Sequence, residues 1–406
     1  MRLSAFPACA FGAMFSGIFV VPVSAQTVTP LLDARLRYET VKEDGFDRDA
    51  NAVTLRVRPG IEIGKDGWSM LVQGEATTAL VENYNSGTNA LSQFPLVADP
   101  RNVELDRAQI RYAGAHGLAA TLGRQRIELL DRRFVGIAPF RQNERSYDAA
   151  RVQWGTSKEW SVDLTYAWSV RTPNGRRGFG SRPTAIGGDN MFALVSHGNA
   201  LGNVTGFAYL VDQDEAAVQG YRLSSQTYGV RFSGSYAIGS ALKGGVTASY
   251  ALQSDYANNP NDFAASYSLV EGSLGDGALT GKLGREVLGA DDGRALTSVQ
   301  TPLGALFGFQ GWVDRFSPTP PDGLRDYYAS VERNWSKVGA LDAIGLTVAY
   351  HHFTSDRVVR VYGEAWNLLA TAKIGHALFS ARYADYHAKA WLADTRKIWL
   401  SVDWSL

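Results

Sequence analysis

The sequence predicts an all-β fold: a transmembrane antiparallel up-and-down β-barrel of about 18 strands, with long extracellular loops and short periplasmic turns. Three observations carry that expectation. Apolar and polar residues alternate with period two along most of the chain. Short connections and long ones alternate between these segments. No apolar run of about 18 residues follows residue 26, so no helical crossing is available. Composition agrees, with 42 Gly, 18 Tyr, 18 Phe and 10 Trp against 4 Met in 406 residues, as suits pleated, turn-rich structure. Forty basic residues cancel forty acidic ones, which argues against a nucleic-acid binder, and a hydrophobic share of 45% argues against a disordered chain.

The elements follow in order. Met1, Arg2 and Leu3 open a weakly basic start, and a mostly apolar stretch then ends in Val23-Ser24-Ala25. Small residues at that position predict a signal peptide over 1–25, cleaved after Ala25, and a barrel domain over 26–406. The single cysteine, Cys9, falls in the leader, so the mature chain is expected to hold no disulfide and no cysteine metal site. Alternation then separates Leu32, Ala34, Leu36 and Tyr38 from Asp33, Arg35, Arg37 and Glu39, and Val53, Leu55 and Val57 from Thr54, Arg56 and Arg58. Over 160–170 it puts Trp160, Val162, Leu164, Tyr166, Trp168 and Val170 on one face, opposite Ser161, Asp163, Thr165, Ala167 and Ser169. Tyr228, Val230, Phe232 and Tyr236 oppose Thr227, Arg231 and Ser233; Ile398, Leu400, Val402 and Trp404 oppose Lys397, Ser401 and Asp403. A soluble sandwich would rarely set so many arginines opposite faces so rich in aromatics.

Short turns are expected at Gly64-Lys65-Asp66-Gly67, Gly114-Ala115-His116-Gly117, 155–159, 199–202, 238–243, 272–277, 336–342 and Gly375-His376. Long connections are expected at 42–49, 82–100, 130–142, 171–189, 213–222, 255–262, 289–324, 354–362 and 388–395. Strict alternation gives an even strand count and puts both termini on the periplasmic side of a bacterial outer membrane, with lipid as the surrounding partner. Trp68, Trp154, Trp160, Trp335 and Trp404 sit at strand ends beside short turns or the C-terminus, as an interfacial girdle requires.

Catalytic constellations are thin. There is no Gly-x-Ser-x-Gly elbow, zinc helix or phosphate-binding loop, and the adjacent His351 and His352 point to opposite faces of a strand. No enzyme activity, cofactor or metal is expected. Inward-facing charge is abundant: Arg35, Arg37, Arg56, Arg58, Arg107, Arg111, Arg124, Arg126, Arg145, Arg151, Arg231 and Arg382 share polar faces with Asp33, Glu39, Glu75, Asp163, Glu332 and Asp403. A row of guanidiniums in a low-dielectric channel favours an anionic solute; the competing role is to pair with the acids and stiffen the wall. A barrel this wide leaves an aqueous channel that something must narrow. The connection 289–324 is too apolar for a solvated loop, and it is expected to fold over or into the mouth with Trp312 and Phe316 as packing anchors.

The segments Leu122-Gly123-Arg124-Gln125-Arg126-Ile127, Asp131-Arg132-Arg133-Phe134-Val135-Gly136, Arg141-Gln142-Asn143-Glu144 and Tyr147-Asp148-Ala149 resemble the alginate-export type outer-membrane porins. So do Gln300-Thr301-Pro302-Leu303, 309–316 and Thr319-Pro320-Pro321. The resemblance implies an 18-stranded barrel with an arginine-rich constriction passing an anionic uronate polysaccharide, with a periplasmic export machinery as a further partner. Carried over by residue, it places Arg124, Arg126, Arg133 and Arg141 at the constriction; Arg56, Arg107 and Arg151 join them on inward phase alone. Three other functions remain open: uptake of small carboxylates, an outer-membrane enzyme, and a structural barrel.

Overall fold

The computed structural model describes residues 26–156, 158–178, 182–215, 220–305 and 307–406. The expected leader, including Cys9, lies outside the described residues. Eighteen strands make one closed antiparallel sheet. They are β1 (Thr27–Glu43), β2 (Ala50–Lys65), β3 (Trp68–Asn83), β4 (Asn102–Ala113), β5 (Ala119–Gln125), β6 (Ser146–Gly155), β7 (Trp160–Arg171), β8 (Ala185–Asn199) and β9 (Gly202–Val211). The second half runs β10 (Ser225–Ile238), β11 (Leu242–Asp255), β12 (Ala264–Gly275), β13 (Leu279–Leu288), β14 (Leu324–Val338), β15 (Leu341–Thr354), β16 (Val361–Ile374), β17 (Ala377–Ala388) and β18 (Thr395–Ser405). Each strand pairs with its sequence neighbours, and β18 returns to β1 in a register from Asp33 opposite Ser405 to Glu43 opposite Thr395. Closure leaves no sheet edge, which is what backbone amides and carbonyls need inside hydrocarbon.

Alternation on β2 shows why these residues form a wall. Thr54, Arg56 and Arg58 are buried against the lumen contents, while Val53, Leu55 and Val57 face outward. The outward face carries exposed leucine, valine and aromatic residues around the circumference, including Trp68, Trp154 and Trp160 at the short-turn rim and Trp168 and Trp366 towards the other. Of the five girdle tryptophans, Trp335 and Trp404 are half-buried, the other three exposed. The turns are tight for local reasons: the Asp276 carboxylate accepts the N–H groups of Ala278 and Leu279 at 2.9 and 2.8 Å. That turn is shorter than expected, because β12 continues through Gly272 to Gly275.

Two differences from the sequence expectation matter for the lumen. A bulge between Ala167 and Ser169 reverses the phase of β7, so Val170 points inward and is 1% exposed. The chain also leaves the wall after Gln125 and rejoins it at Ser146, making the connection 126–145 rather than 130–142. Arg126 and Arg145 therefore sit on this loop and not on strand faces. Ile127 and Leu129 drive the early departure by burying themselves in a core inside the barrel.

That inner core is the second major feature. Phe134 of the 126–145 loop meets Phe207, Tyr209 and Tyr267 of the wall with ring centroids 5.1–5.9 Å apart. Phe316 of the β13–β14 connection meets Phe353, Tyr362 and Tyr386 at 4.6–6.1 Å. The lumen is thus narrowed by two inward loops, where one was expected. Strands β7–β9, β11, β12 and β15–β18 present apolar residues on both faces.

Candidate functional site

The two loops are clamped together at Arg145. Its Nη1 donates to the carbonyls of Gly136, Leu303 and Gly304 at 3.0, 2.5 and 2.9 Å, and its Nη2 donates to Pro302 O at 3.0 Å. Four carbonyls converging on one guanidinium suit its planar fork of donors. Gln253 of β11 adds a reciprocal pair with the backbone of Gln300, at 2.9 and 2.7 Å. Phe140 and Phe307, one from each loop, stack on one another beside Trp399 of β18. Trp312, 7% exposed, donates its backbone N–H to Asn367 Oδ1 at 3.1 Å. Trp312 and Phe316 both lie within the packed interior of the loop.

The seven arginines expected to line the passage are all at or near the lumen, but most face carboxylates. Arg56 and Arg58 of β2 both reach Asp33 at 2.9 Å, and Arg58 also contacts Glu144. Arg124 grips Asp148 through two bonds of 2.7 and 2.9 Å. Arg126 bridges Asp106 at 3.0 Å and Glu144 at 2.8 Å. Arg133 pairs with Glu286 at 2.8 Å under the ring of Phe309, and Arg141 with Asp314 at 2.6 Å. Arg151 forks onto Asp163 at 2.5–3.2 Å. Six of the seven therefore satisfy and fix one another's neighbours instead of forming an open basic row. Three of the resemblance-derived four join wall to loop or loop to loop, Arg126 to β4, Arg133 to β13 and Arg141 to the β13–β14 connection, whereas Arg124 ties β5 to β6 within the wall.

Loop carboxylates respond to this company. Burial alone would push the Glu144 carboxyl up, yet the guanidiniums of Arg126, Arg58 and Arg56 outweigh it and hold it well below the usual carboxylate range. Asp99, in the connection between β3 and β4, is also buried; Arg37, Arg141 and the backbone N–H of Gln142 hold it below its ordinary value. Glu144 and Asp99 are thus anionic anchors for the inner ends of two loops.

Arg107 differs from the rest. Its Nε and Nη2 donate to Gln73 Oε1 at 2.9 and 2.7 Å, and no carboxylate within ion-pair distance compensates it among the described residues. Two and four residues on, Gln109 and Arg111 share its inward phase on β4, and Arg111 has no ion-pair partner among the described residues. With a rise near 3.4 Å per residue, these side chains step down the wall towards the periplasm at roughly 7 Å intervals. Sequence phase had marked Arg111 as inward without distinguishing it. The missing signal was pairing, since period two assigns a face and is silent on partners. Gln142 and Asn143 also escaped notice as individuals. Gln142 bonds Thr54 Oγ1 at 2.8 Å and Asn143 bonds Pro100 O at 2.9 Å, so both pin the loop end to its surroundings.

A closed 18-stranded sheet, an apolar outer belt and a lumen crossed by inward loops define an outer-membrane β-barrel of porin architecture, set in lipid. Within it, residues 31–175 match the family model described as alginate export, a span that contains the Leu122–Ile127 and Arg141–Glu144 motifs and excludes those after residue 300. Pseudomonas aeruginosa OpdK, crystallised with vanillate, is similar in fold, with a TM-score of 0.68 and 12% identity over 93% of this chain and 98% of that one. Pseudomonas aeruginosa OccK9 (OpdG) gives 0.70 and 14%, and Acinetobacter baumannii OccAB4 gives 0.68 and 11%, each with the same coverage. No curated protein sequence matches the chain.

Proposed function

We propose that the barrel is a selective channel for small carboxylate-bearing solutes. The observation that carries this reading is the pair Arg107 and Arg111, which face the lumen from one strand with no carboxylate at ion-pair distance among the described residues. Planar forks of this kind match a carboxylate, and Gln109 between them offers both a donor and an acceptor for a neighbouring hydroxyl. The two loops packed across the lumen support a small solute over a thick polymer, and vanillate, named with OpdK, is a small carboxylate. A second reading, passage of a uronate chain with a periplasmic export partner, is favoured by the family match over residues 31–175.

Planar-bilayer recording tests the first reading. The expected result is an anion-favouring reversal potential in a salt gradient, with current reduced by benzoate or vanillate more strongly than by oligouronates. Arg107→Ala with Arg111→Ala is expected to move the reversal potential towards zero or cation preference. Block by oligouronates alone would establish the second reading; cation preference in the unmodified channel would refute both.

A further inference from the structure

The lipid-facing wall formed by β15–β18 and β1 is not evenly ridged. Strand register sets its outward residues in rows. One row holds Lys42, Arg396, Asp385 and Trp366. Four residues nearer the periplasm lie Tyr38, Leu400, Ala381, Ala370 and Leu346, and two residues further lie Leu36, Val402, Phe379, Ala372 and Ile344. Three alanines thus adjoin one another where their neighbours are leucine, isoleucine or phenylalanine. They floor a depression of about 610 Å³ walled by Leu36, Phe379 and Leu400, which continues past Ala370 and Ala381 into a second of about 470 Å³.

At the upper end of this groove the chemistry changes. Lys42 points outward with no ion-pair partner among the described residues. Arg396 beside it is half exposed and engages Asp385 at 3.3 Å on one side only. Trp366 and Tyr350, whose rings are 4.9 Å apart, continue the row as an interfacial pair marks the headgroup level. The row belongs to the rim with long connections, hence to the outer leaflet. Four residues of strand separate it from the first alanine row, about 13 Å along the chain and less along the membrane normal because strands tilt. That is the depth of acyl chains below their phosphates.

We infer that this face is a binding site for a phosphate-bearing lipid of the outer leaflet, of the lipid A type. Its phosphate sits between Lys42 and Arg396, and one acyl chain lies in the alanine-floored groove. A chain in the groove touches protein on three sides where a ridge would touch it on one, so dispersion contact adds to charge. The two halves are independent observations: a basic pair at headgroup height, and below it on the same strands an alanine-floored gap of side-chain volume in the wall.

The test is native mass spectrometry of the full chain in mild detergent, titrated separately with bisphosphorylated lipid A and with phosphatidylcholine. The expected result is one lipid A molecule retained under activation that strips phosphatidylcholine. Lys42→Ser with Arg396→Ser should weaken retention by on the order of tenfold, since each basic residue near a lipid phosphate is worth about fivefold and Asp385 offsets part of it. Ala370→Leu with Ala381→Leu should weaken it without altering either charge. Heat-dependent gel mobility reports that each variant is folded, and Ala381→Val alone replaces the double variant if it is not. Equal retention of both lipids, or retention unchanged in both variants, overturns the assignment. So does a dimer that the alanine substitutions abolish, which would make a second copy the occupant.

Discussion

Replacing Arg145 with methionine tests whether the two inward loops act as one body. The substitution keeps the volume of the stem and deletes the guanidinium that holds Gly136, Pro302, Leu303 and Gly304 by their carbonyls. A hydrogen bond from a charged donor contributes about 1.5–3 kcal/mol, and four bonds sharing two nitrogens count as two or three independent ones. Leaving the acceptors buried and unmatched adds to the loss, so the clamp weakens by at least roughly 3–5 kcal/mol, or about two to four powers of ten in the closed-to-open ratio of the loops. The wall does not depend on Arg145, so strand pairing and heat-dependent gel mobility should be unchanged. Single-channel recording should then show larger and noisier current steps. Arg145→Lys should be intermediate, because an ammonium cannot offer a planar fork to four acceptors. Conductance and noise identical to the unmodified channel in Arg145→Met would refute the claim that this clamp holds the loops in the lumen.

Three further outcomes are expected. Arg124→Ala, which removes a cation already forked onto Asp148, should move the reversal potential less than Arg107→Ala; a larger shift would return Arg124 to the solute path. Acid should loosen the loops. The depressed carboxyls of Glu144 and Asp99 lend stability that is complete above the unfolded value near pH 4 and is lost as pH falls towards their folded values, so channel noise should rise below about pH 4 and not on going alkaline. Gly284→Val should destabilise β13 against β14, because the Tyr328 ring lies where the new Cβ would stand; denaturant midpoints would show the loss, and an unchanged midpoint would count against that packing.

The wall was legible in the sequence because a strand in a barrel has one lipid face and one lumen face, and both leave a period-two trace. Loop lengths set strand number and orientation with little further input. Val170 shows the limit: one bulge after Ala167 reverses the phase, and nothing in the residue pattern announces it. The apolar run around Trp312 and Phe316 already indicated a segment that had to bury itself. Pairing was the opaque part. Arg141 meets Asp314 across 173 residues, and Arg37 meets Asp99 across 62. Such partners are chosen by how the loops fold within the barrel, so a list of inward arginines overstated the free positive charge. Arg107 and Arg111, without an ion-pair partner among the described residues, became distinguishable only once their neighbours were matched.

The inner core gives this membrane protein two kinds of solvent. Its outer belt rests in hydrocarbon, where burial brings no release of water, but Phe134, Phe316 and their partners are held together by exclusion of water from the lumen. Only the second contribution weakens on cooling. Cold should therefore relax the plug while leaving the wall intact, so that current fluctuations grow as temperature falls even though the barrel itself is no nearer to unfolding.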